Sequence, residues 1–241
     1  MKVSVFIPCC VDQFSANTGF NIIKLLKDME LDVDYPLEQT CCGRIAYYEG
    51  DKETAKRLGE MLMDNFEHSD FIVGCSSLCT TYMKRCYGKL FHNSGYHYTY
   101  SGFINKLYDF SDFVVNVLKI QSIDDAVFPH KVAFVDDISS YNETGLYSEP
   151  RTLLSNVQGL ELVKLDNELM SCGHNEQFAS IFEPISTELA RRKVQDAIDK
   201  GAEYITSTDM GCLLHLQSYI NKAKLPITCK HIVDILASNE Q

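Results

Sequence analysis

The chain has 241 residues, of which 45% are apolar and 23% are charged, and its formal net charge is -11. This composition is typical of a globular protein with one large domain or two modest ones, and not of a disordered chain. The acidic balance and the lack of a Lys/Arg cluster argue against a nucleic-acid partner, and no stretch reaches the ~20 apolar residues that would span a bilayer.

The first apolar segment, residues 3–8, is too short for a secretory signal peptide, and no small-residue cleavage site follows it. It fits a buried first β-strand, so we expect a cytoplasmic protein. Ten cysteines in such a chain indicate metal binding or redox chemistry, because cytosolic thiols stay reduced. The alternative, a cysteine that is only a small core residue, applies best to the isolated Cys86 and Cys229.

Buried strands and amphipathic helices alternate along the chain in one order that occurs twice. The first half reads VSVFI, GFNIIKLLKDM, LDVDYP, DKETAKRLGEMLMDNFE and DFIVG, and the second reads VAFV, EPRTLLSNV, LELVKL, STELARRKVQDAIDK and AEYITS. This alternation predicts an α/β fold in which two homologous βαβ-type halves contain parallel sheets. Ligand-bearing loops would then lie at the carboxyl ends of the strands.

Four pairs of similar segments support an internal duplication. The pairs begin with KVSVFIPC and KVAFVDDI, continue with CCG and SCG and with FIVGCSSLC and YITSTDMGC, and end with SDFVVNVL and KHIVDIL. Their offsets are 129, 130, 133 and 119 residues. Because the order is the same in both sets, we predict two domains. They are an N-terminal cysteine-rich half at 1–122 and a C-terminal degenerate half at 131–241.

Four cysteines of the first half are predicted to meet at the carboxyl edge of its sheet, namely Cys9, Cys41, Cys42 and Cys79. Cys75 and Cys10 are the reserve ligands, and Cys75 is counted with the four as cofactor-binding. Thiolates are soft ligands that select zinc, copper(I) or iron–sulfur clusters. Adjacent cysteines are awkward ligands for one tetrahedral zinc ion, whereas a cluster can accept them on different iron atoms. The doubled cysteine therefore favours an iron–sulfur cluster over zinc, which remains the alternative cofactor.

Four features of the chain belong together. These are CVDQ from Cys10, QTCCG from Gln39, the cysteine after the later strand, and the duplication. In these features the chain resembles the cysteine-rich CCG-domain family. In this chain 31 residues separate Cys9 from Cys41, and the resemblance covers nearly the whole sequence. It is strongest to the iron–sulfur subunits of bacterial L-lactate oxidation complexes. The iron–sulfur subunits of glycolate oxidase and the cysteine-rich subunit of heterodisulfide reductase are more distant relatives.

The resemblance implies a bound cluster of [4Fe–4S] type in an oxidoreductase subunit. Its expected function is electron transfer in the oxidation of L-lactate or a related 2-hydroxy acid such as glycolate. The expected partners are other iron–sulfur subunits of the same complex. Two alternatives stay open, a zinc-binding structural or assembly module and a metal-free thiol–disulfide redox protein that uses Cys41 and Cys42. The chain contains no G-x-G-x-x-G, P-loop, H-E-x-x-H or G-x-S-x-G motif that would indicate another catalytic site.

The chain departs from the family pattern in both halves. Ser76 occupies the first cysteine position of the final C-x-x-C, where Cys75 can substitute. In the second half Ile138 and Ser139 occupy a cysteine and a histidine position, and the glycine motif has Ser171 in place of its first cysteine. One interpretation of the second half is a degenerate metal site at Cys172 and Cys212, completed from His174, Asp136, Asp137 and His215. Since two thiolates rarely hold a cluster, we expect these polar residues to be ordinary loop residues and only the first half to bind a cluster.

Overall fold

The computed structural model describes residues 1–174 and 176–239, which form two compact units. The first unit is Met1–Phe113 and the second begins at Val114. Each unit contains one four-stranded parallel sheet flanked by helices. The predicted α/β class, with two similar halves and parallel sheets, is therefore confirmed.

The strands of the first unit form a parallel sheet in the order β2-β1-β3-β4. They are β1 (Lys2–Phe6), β2 (Asp32–Asp34), β3 (Phe71–Gly74) and β4 (Leu107–Asp109). The chain adds β2 on one side of β1 and then β3 on the other, so the connections diverge between β1 and β3. Ligands of open parallel sheets bind at such a point, outside the carboxyl ends of the strands.

The helices of the first unit follow the strands in chain order. They are α1 (Cys9–Phe14), α2 (Ala16–Asp28), α3 (Arg44–Tyr48), α4 (Lys52–Asn65), α5 (Ser77–Phe91), α6 (His97–Asn105) and α7 (Phe110–Asp112). A π-helical turn at Phe113–Val117 begins at the last residue of this unit and continues into the second. The amphipathic α2 buries Ile22, Leu25 and Leu26. The start of α4 is fixed by the Asp51 side chain, which accepts a hydrogen bond from the Thr54 N–H at 3.0 Å.

The second unit repeats this plan with the strand order β6-β5-β7-β8. Its strands are β5 (Lys131–Phe134), β6 (Glu161–Val163), β7 (Tyr204–Ser207) and β8 (Thr228–His231). Its helices are α8 (Ile138–Thr144), α9 (Ser148–Ser155), α10 (Glu176–Ile181), α11 (Glu183–Asp199), α12 (Met210–Ala223) and α13 (Ile232–Leu236). No helix in the described part of the chain is long and apolar enough to cross a membrane.

The segment HNSGYHYTY has the local pattern of a solvated loop, and its first five residues, 92–96, lie outside the helices. Its last four residues begin α6, whose aromatic side chains pack on the end of α5. The ring of Tyr100 stacks on Phe91 with centroids 6.4 Å apart, and the Tyr96 hydroxyl donates to Asp64 Oδ2 at 2.9 Å. Contacts that are distant in sequence therefore stabilise a helix that the local pattern does not indicate.

Candidate metal centre

Cys9 and Cys41 lie next to each other at the carboxyl end of β1. Cys9 is the first residue of α1, three residues after β1 ends, and Cys41 lies in the loop before α3. Their Sγ atoms are 3.8 Å apart, and both side chains are partly exposed. Two thiols separated by 31 residues in sequence thus meet at the edge where a site is expected.

Cys42 and Cys79 continue this group of thiols into the core. The Cys42 thiol makes hydrogen-bond contact with both Cys41 and Cys79. Cys79 is the third residue of α5, and both Cys42 and Cys79 are buried, with 2% and 5% of their surface exposed. The structure therefore brings Cys9, Cys41, Cys42 and Cys79 into one connected group, which we call the thiol cluster.

Cys75 and Cys10 lie beside the thiol cluster. Cys75 directly follows β3, is buried, and has its Sγ atom 4.0 Å from the carbonyl oxygen of Phe6. Cys10 is near enough to influence both Cys9 and Cys75 electrostatically. Ser76 is the N-cap residue of α5, but its side chain makes no capping hydrogen bond. The edge between β1 and β3 thus gathers six thiols.

Gln39 holds the CCG loop, residues 41–43, against the end of β1. Its Oε1 atom accepts a hydrogen bond from the Ile7 N–H at 2.8 Å, and its Nε2 atom donates to the carbonyl oxygens of Val5 and Pro36 at 3.3 and 3.2 Å. In the sequence Gln39 stands out only as part of the motif QTCCG, which indicates no role for its side chain. Its position two residues before the doubled cysteine is the signal that could have identified it.

Gly43 allows the CCG loop to approach α4 closely. Its φ is +81°, in the left-handed region, and a Cβ atom there would lie 2.8 Å from the carbonyl oxygen of Ala55. The Gly43 N–H donates to Cys41 Sγ at 3.5 Å. Glycine is needed at this position both for its backbone conformation and for the absence of a side chain.

An aromatic group covers the buried side of the thiol cluster. Tyr87 is fully buried, and its hydroxyl donates to the carbonyl oxygen of Cys42 at 3.0 Å. The rings of Tyr82 and Tyr47 contact Tyr87 and Tyr82 respectively, with centroids 5.9 and 5.5 Å apart. This packing fixes the backbone of Cys42 and keeps water from that side.

Cys41 is the thiol best placed to be ionised. Hydrogen bonds from the thiols of Cys42 and Cys9 and from the Gly43 N–H lower the pKa of Cys41, and the guanidinium of Arg44 lowers it further. The hydrogen bond to Cys41 raises the pKa of Cys9, and Cys42 behaves similarly through its bonds to Cys41 and Cys79, which raise its pKa. One sulfur thus concentrates negative charge while its neighbours donate to it.

The second unit has a pair of cysteines where the first unit has the thiol cluster. The structure joins Cys172 and Cys212 by a disulfide. Gly173 has a φ of +88° and packs against the carbonyl oxygen of Ser186, as Gly43 packs against Ala55. The Gly173 N–H donates to Ser171 Oγ at 3.1 Å. Ser171 therefore takes the place of Cys41, and Cys172 and Cys212 correspond to Cys42 and Cys79.

The polar residues suggested for a mixed second site do not converge on one point. The two Nη atoms of Arg151 donate to the two carboxylate oxygens of Asp136, at 2.8 and 2.7 Å. Asp137 caps α8 by accepting from the Ser139 N–H at 3.1 Å. His174 and His215 lie near each other, with ring centroids 6.1 Å apart, but the Nε2 atom of His215 contacts Ser186 Oγ at 3.1 Å. In the ranges 1–174 and 176–239, no group of three or more Cys, His, Asp or Glu side chains is arranged to hold a single metal ion.

Each unit has a parallel sheet with a cysteine–glycine loop at the same edge, the CCG loop (residues 41–43) in the first and the SCG loop (residues 171–173) in the second. This arrangement defines a protein with a duplicated cysteine-rich domain. A family model described as "Cysteine-rich domain" (CCG) matches residues 3–84 and 139–217. The chain therefore belongs to the cysteine-rich CCG-domain family, which confirms the resemblance recognised in the sequence.

Its relatives include proteins named Lactate utilization protein A. The chain is 31% identical to that of Geobacillus sp. (strain WCH70), over 99% of this chain and 100% of that protein. It is 32% identical to that of Bacillus thuringiensis (strain Al Hakam), over 99% of each. A crystal structure of a hypothetical protein from Helicobacter pylori matches with a TM-score of 0.66 and 10% identity, over 100% of this chain and 49% of that chain. This last similarity concerns the fold alone.

Proposed function

We propose that this protein is an iron–sulfur subunit of a cytoplasmic complex that oxidises L-lactate or a related 2-hydroxy acid such as glycolate. The observation that carries the proposal is the thiol cluster, four cysteine side chains brought together from three distant parts of the sequence. The relatives named Lactate utilization protein A, similar along almost the whole chain, support the substrate.

The donor set fits a [4Fe–4S]-type cluster held by Cys9, Cys41, Cys42 and Cys79, with Cys75 as a neighbouring thiol. Thiolate sulfurs are the usual ligands of such clusters, which relay single electrons when bound. The sulfurs of Cys9 and Cys41, 3.8 Å apart, are close enough to serve one cluster. Zinc is the alternative occupant, because it also takes thiolate ligands, although the described thiols are not arranged around a point that a single ion would occupy.

The chain's own residues would offset the negative charge of several thiolates. Arg44 is buried beside Cys41 and lowers the pKa of its thiol. The Gly43 N–H donates to the same sulfur, and hydrogen bonds from backbone N–H groups stabilise thiolates. Cys79 lies in the first turn of α5, where the helix dipole favours negative charge.

The apolar surroundings of Cys42 suit an electron carrier better than a self-contained enzyme. The buried tyrosines around Cys42 would exclude water from one side of a cluster and so influence its potential. We propose that other iron–sulfur subunits of the same complex exchange electrons with this site.

We also propose that 1–122 and 131–241 are homologous halves, of which only the first binds a cluster.

Iron and sulfide analysis of anaerobically purified protein, with visible and EPR spectra, tests this proposal. We expect about four irons per chain, and we expect Cys79→Ala to lose most of them. Cys86→Ala is the matched control, because Cys86 lies in α5 about two turns further on, is also buried, and should leave the iron content unchanged. A colourless, zinc-loaded preparation would support the zinc module, and a metal-free protein with thiol-dependent redox activity would support the thiol–disulfide alternative.

A further inference from the structure

We propose that Cys172 and Cys212 form a thiol–disulfide redox site, a two-electron couple in the second unit that binds no metal. The proposal does not require the first unit to bind iron. It assigns a chemical function to the half of the chain in which Ile138 and Ser171 occupy two of the family's cysteine positions.

The disulfide joins two segments that are both built to hold it. Cys172 precedes Gly173 in the SCG loop, and Cys212 lies in the first turn of α12. Both are buried, with 6% and 2% of their surface exposed. The Cys212 N–H donates to the carboxylate of Asp209, the N-cap residue of α12, at 2.8 Å.

Comparison with the first unit explains why two thiols remain and why they bond to each other. Cys42 and Cys79 are already in thiol–thiol contact at the corresponding edge of the first sheet. In the second unit Ser171 replaces the thiol that would correspond to Cys41. Structural zinc and cubane clusters usually require four ligands, so two isolated thiols are a poor metal site. Two thiols placed in contact are, however, the reactants that a disulfide needs.

Two imidazoles flank the disulfide within this unit. His174 follows Cys172 by two residues and packs directly over Gly211, the residue before Cys212. His215 lies one turn after Cys212 on α12, and its Nε2 atom is 3.1 Å from Ser186 Oγ. Reduction of a disulfide consumes two protons, and imidazole is the side chain that exchanges protons most readily near neutral pH.

The redox step is thiol–disulfide exchange with a dithiol. One thiolate of a dithiol reductant attacks Cys172 Sγ, breaks the bond to Cys212 Sγ and forms a mixed disulfide. The second thiol of the reductant then displaces Cys172, so that two protein thiols form and the dithiol becomes a disulfide. Cys172 is the sulfur attacked, because it is more exposed than Cys212, 6% against 2%, and because Leu169 and Ser171 before it are exposed. In a reducing compartment, disulfides are commonly redox-sensing or catalytic.

Peptide mapping of the whole chain after alkylation in redox buffers tests the proposal. The protein is equilibrated without oxygen at set ratios of reduced to oxidised dithiothreitol, and free thiols are then alkylated and located by mass spectrometry. We expect a 172–212 cross-linked peptide at oxidising ratios. The ratio of reduced to oxidised protein should rise in direct proportion to the dithiothreitol ratio, as an intramolecular two-electron couple requires.

Variants and metal binding distinguish this redox site from a metal site and from a cross-link to another cysteine. The 172–212 cross-link should persist in Cys229→Ser, and in Cys172→Ser the Cys212 thiol should be alkylated in every buffer. Free thiols at both positions in the most oxidising wild-type sample would overturn the proposal. So would uptake by the reduced wild type of one more zinc ion per chain than Cys172→Ser binds. The iron content of the same samples reports separately on the first unit.

Discussion

Replacing Gly43 by alanine tests whether the close approach of the CCG loop to α4 holds the thiol cluster together. A matched control exists in the same unit. Gly43 and Gly50 both have positive φ angles, +81° and +90°, but only Gly43 is crowded. A Cβ atom at Gly43 would lie 2.8 Å from the carbonyl oxygen and 3.1 Å from the Cα of Ala55. At Gly50, no atom of the described residues lies within 4 Å of one, apart from the two chain neighbours.

The two substitutions therefore share one cost and differ in another. Holding an L-residue in the left-handed region costs about 1–2 kcal/mol, and this applies to both. Overpacking adds about 1–3 kcal/mol, and this applies only to Gly43. We expect Gly50→Ala to lower the free energy of unfolding by about 1–2 kcal/mol and Gly43→Ala by about 2–5 kcal/mol.

Thermal unfolding measures the difference directly. Each kcal/mol lowers the Tm of a chain of this size by about 2–4 °C, so the two variants should be clearly resolved. Because the backbone of Ala55 cannot move aside cheaply, the CCG loop should shift in Gly43→Ala, and this variant should also retain less iron than Gly50→Ala. Equal Tm losses and equal iron contents would refute the argument that close packing at Gly43 positions the cysteines.

Three further predictions concern the surroundings of the thiol cluster. Gln39→Ala should lower the free energy of unfolding by about 1–3 kcal/mol, measured by urea denaturation, because the Ile7 N–H loses its acceptor; an unchanged midpoint would contradict this. Tyr87→Phe keeps the ring but leaves the Cys42 carbonyl without its donor, and should lower the Tm by an amount corresponding to about 1–3 kcal/mol; a Tm equal to that of the wild type would exclude this role. Burial raises the pKa of the Asp109 carboxyl from 3.8 to about 7, so the folded state retains a proton that the unfolded chain has released. Stability should therefore fall as pH rises through that interval, and Asp109→Asn should remove this part of the pH dependence of the Tm; parallel profiles for the two proteins would show that Asp109 is not responsible.

Much of the fold could be predicted because its signals are local. The run VSVFI overlaps β1 in all but its last residue, the run DFIVG contains β3, and DKETAKRLGEMLMDNFE contains α4. Short β-branched runs and helical spacing of apolar residues carry this information within a few residues. The residues that begin α6, His97–Tyr100, have the local pattern of a loop, and the packing of Tyr100 on Phe91 stabilises them as a helix. Tertiary contacts override weak local preference there.

The residues of the candidate site, like the elements of the fold, could be predicted from the sequence only in part. The doubled cysteine and the cysteines that follow strands could be identified from sequence, because parallel strands bring their carboxyl ends to one edge. The role of Gln39 could not, because its three hydrogen bonds reach groups on β1, on the segment just after β1 and on the loop before the motif. Similarly, the sequence leaves Cys172 and Cys212 as a candidate metal site, whereas the structure pairs them with each other.

The sequence by itself determined the α/β class, the duplication and the family, because these depend on periodicity and on motifs that are contiguous in the chain. Only the tertiary structure decided which sulfurs meet. Cys9 and Cys41 are 31 residues apart in sequence and 3.8 Å apart in space. That distance is set by strand register, by the Gln39 hydrogen bonds and by the space that a glycine leaves, and none of these is encoded within a single short segment.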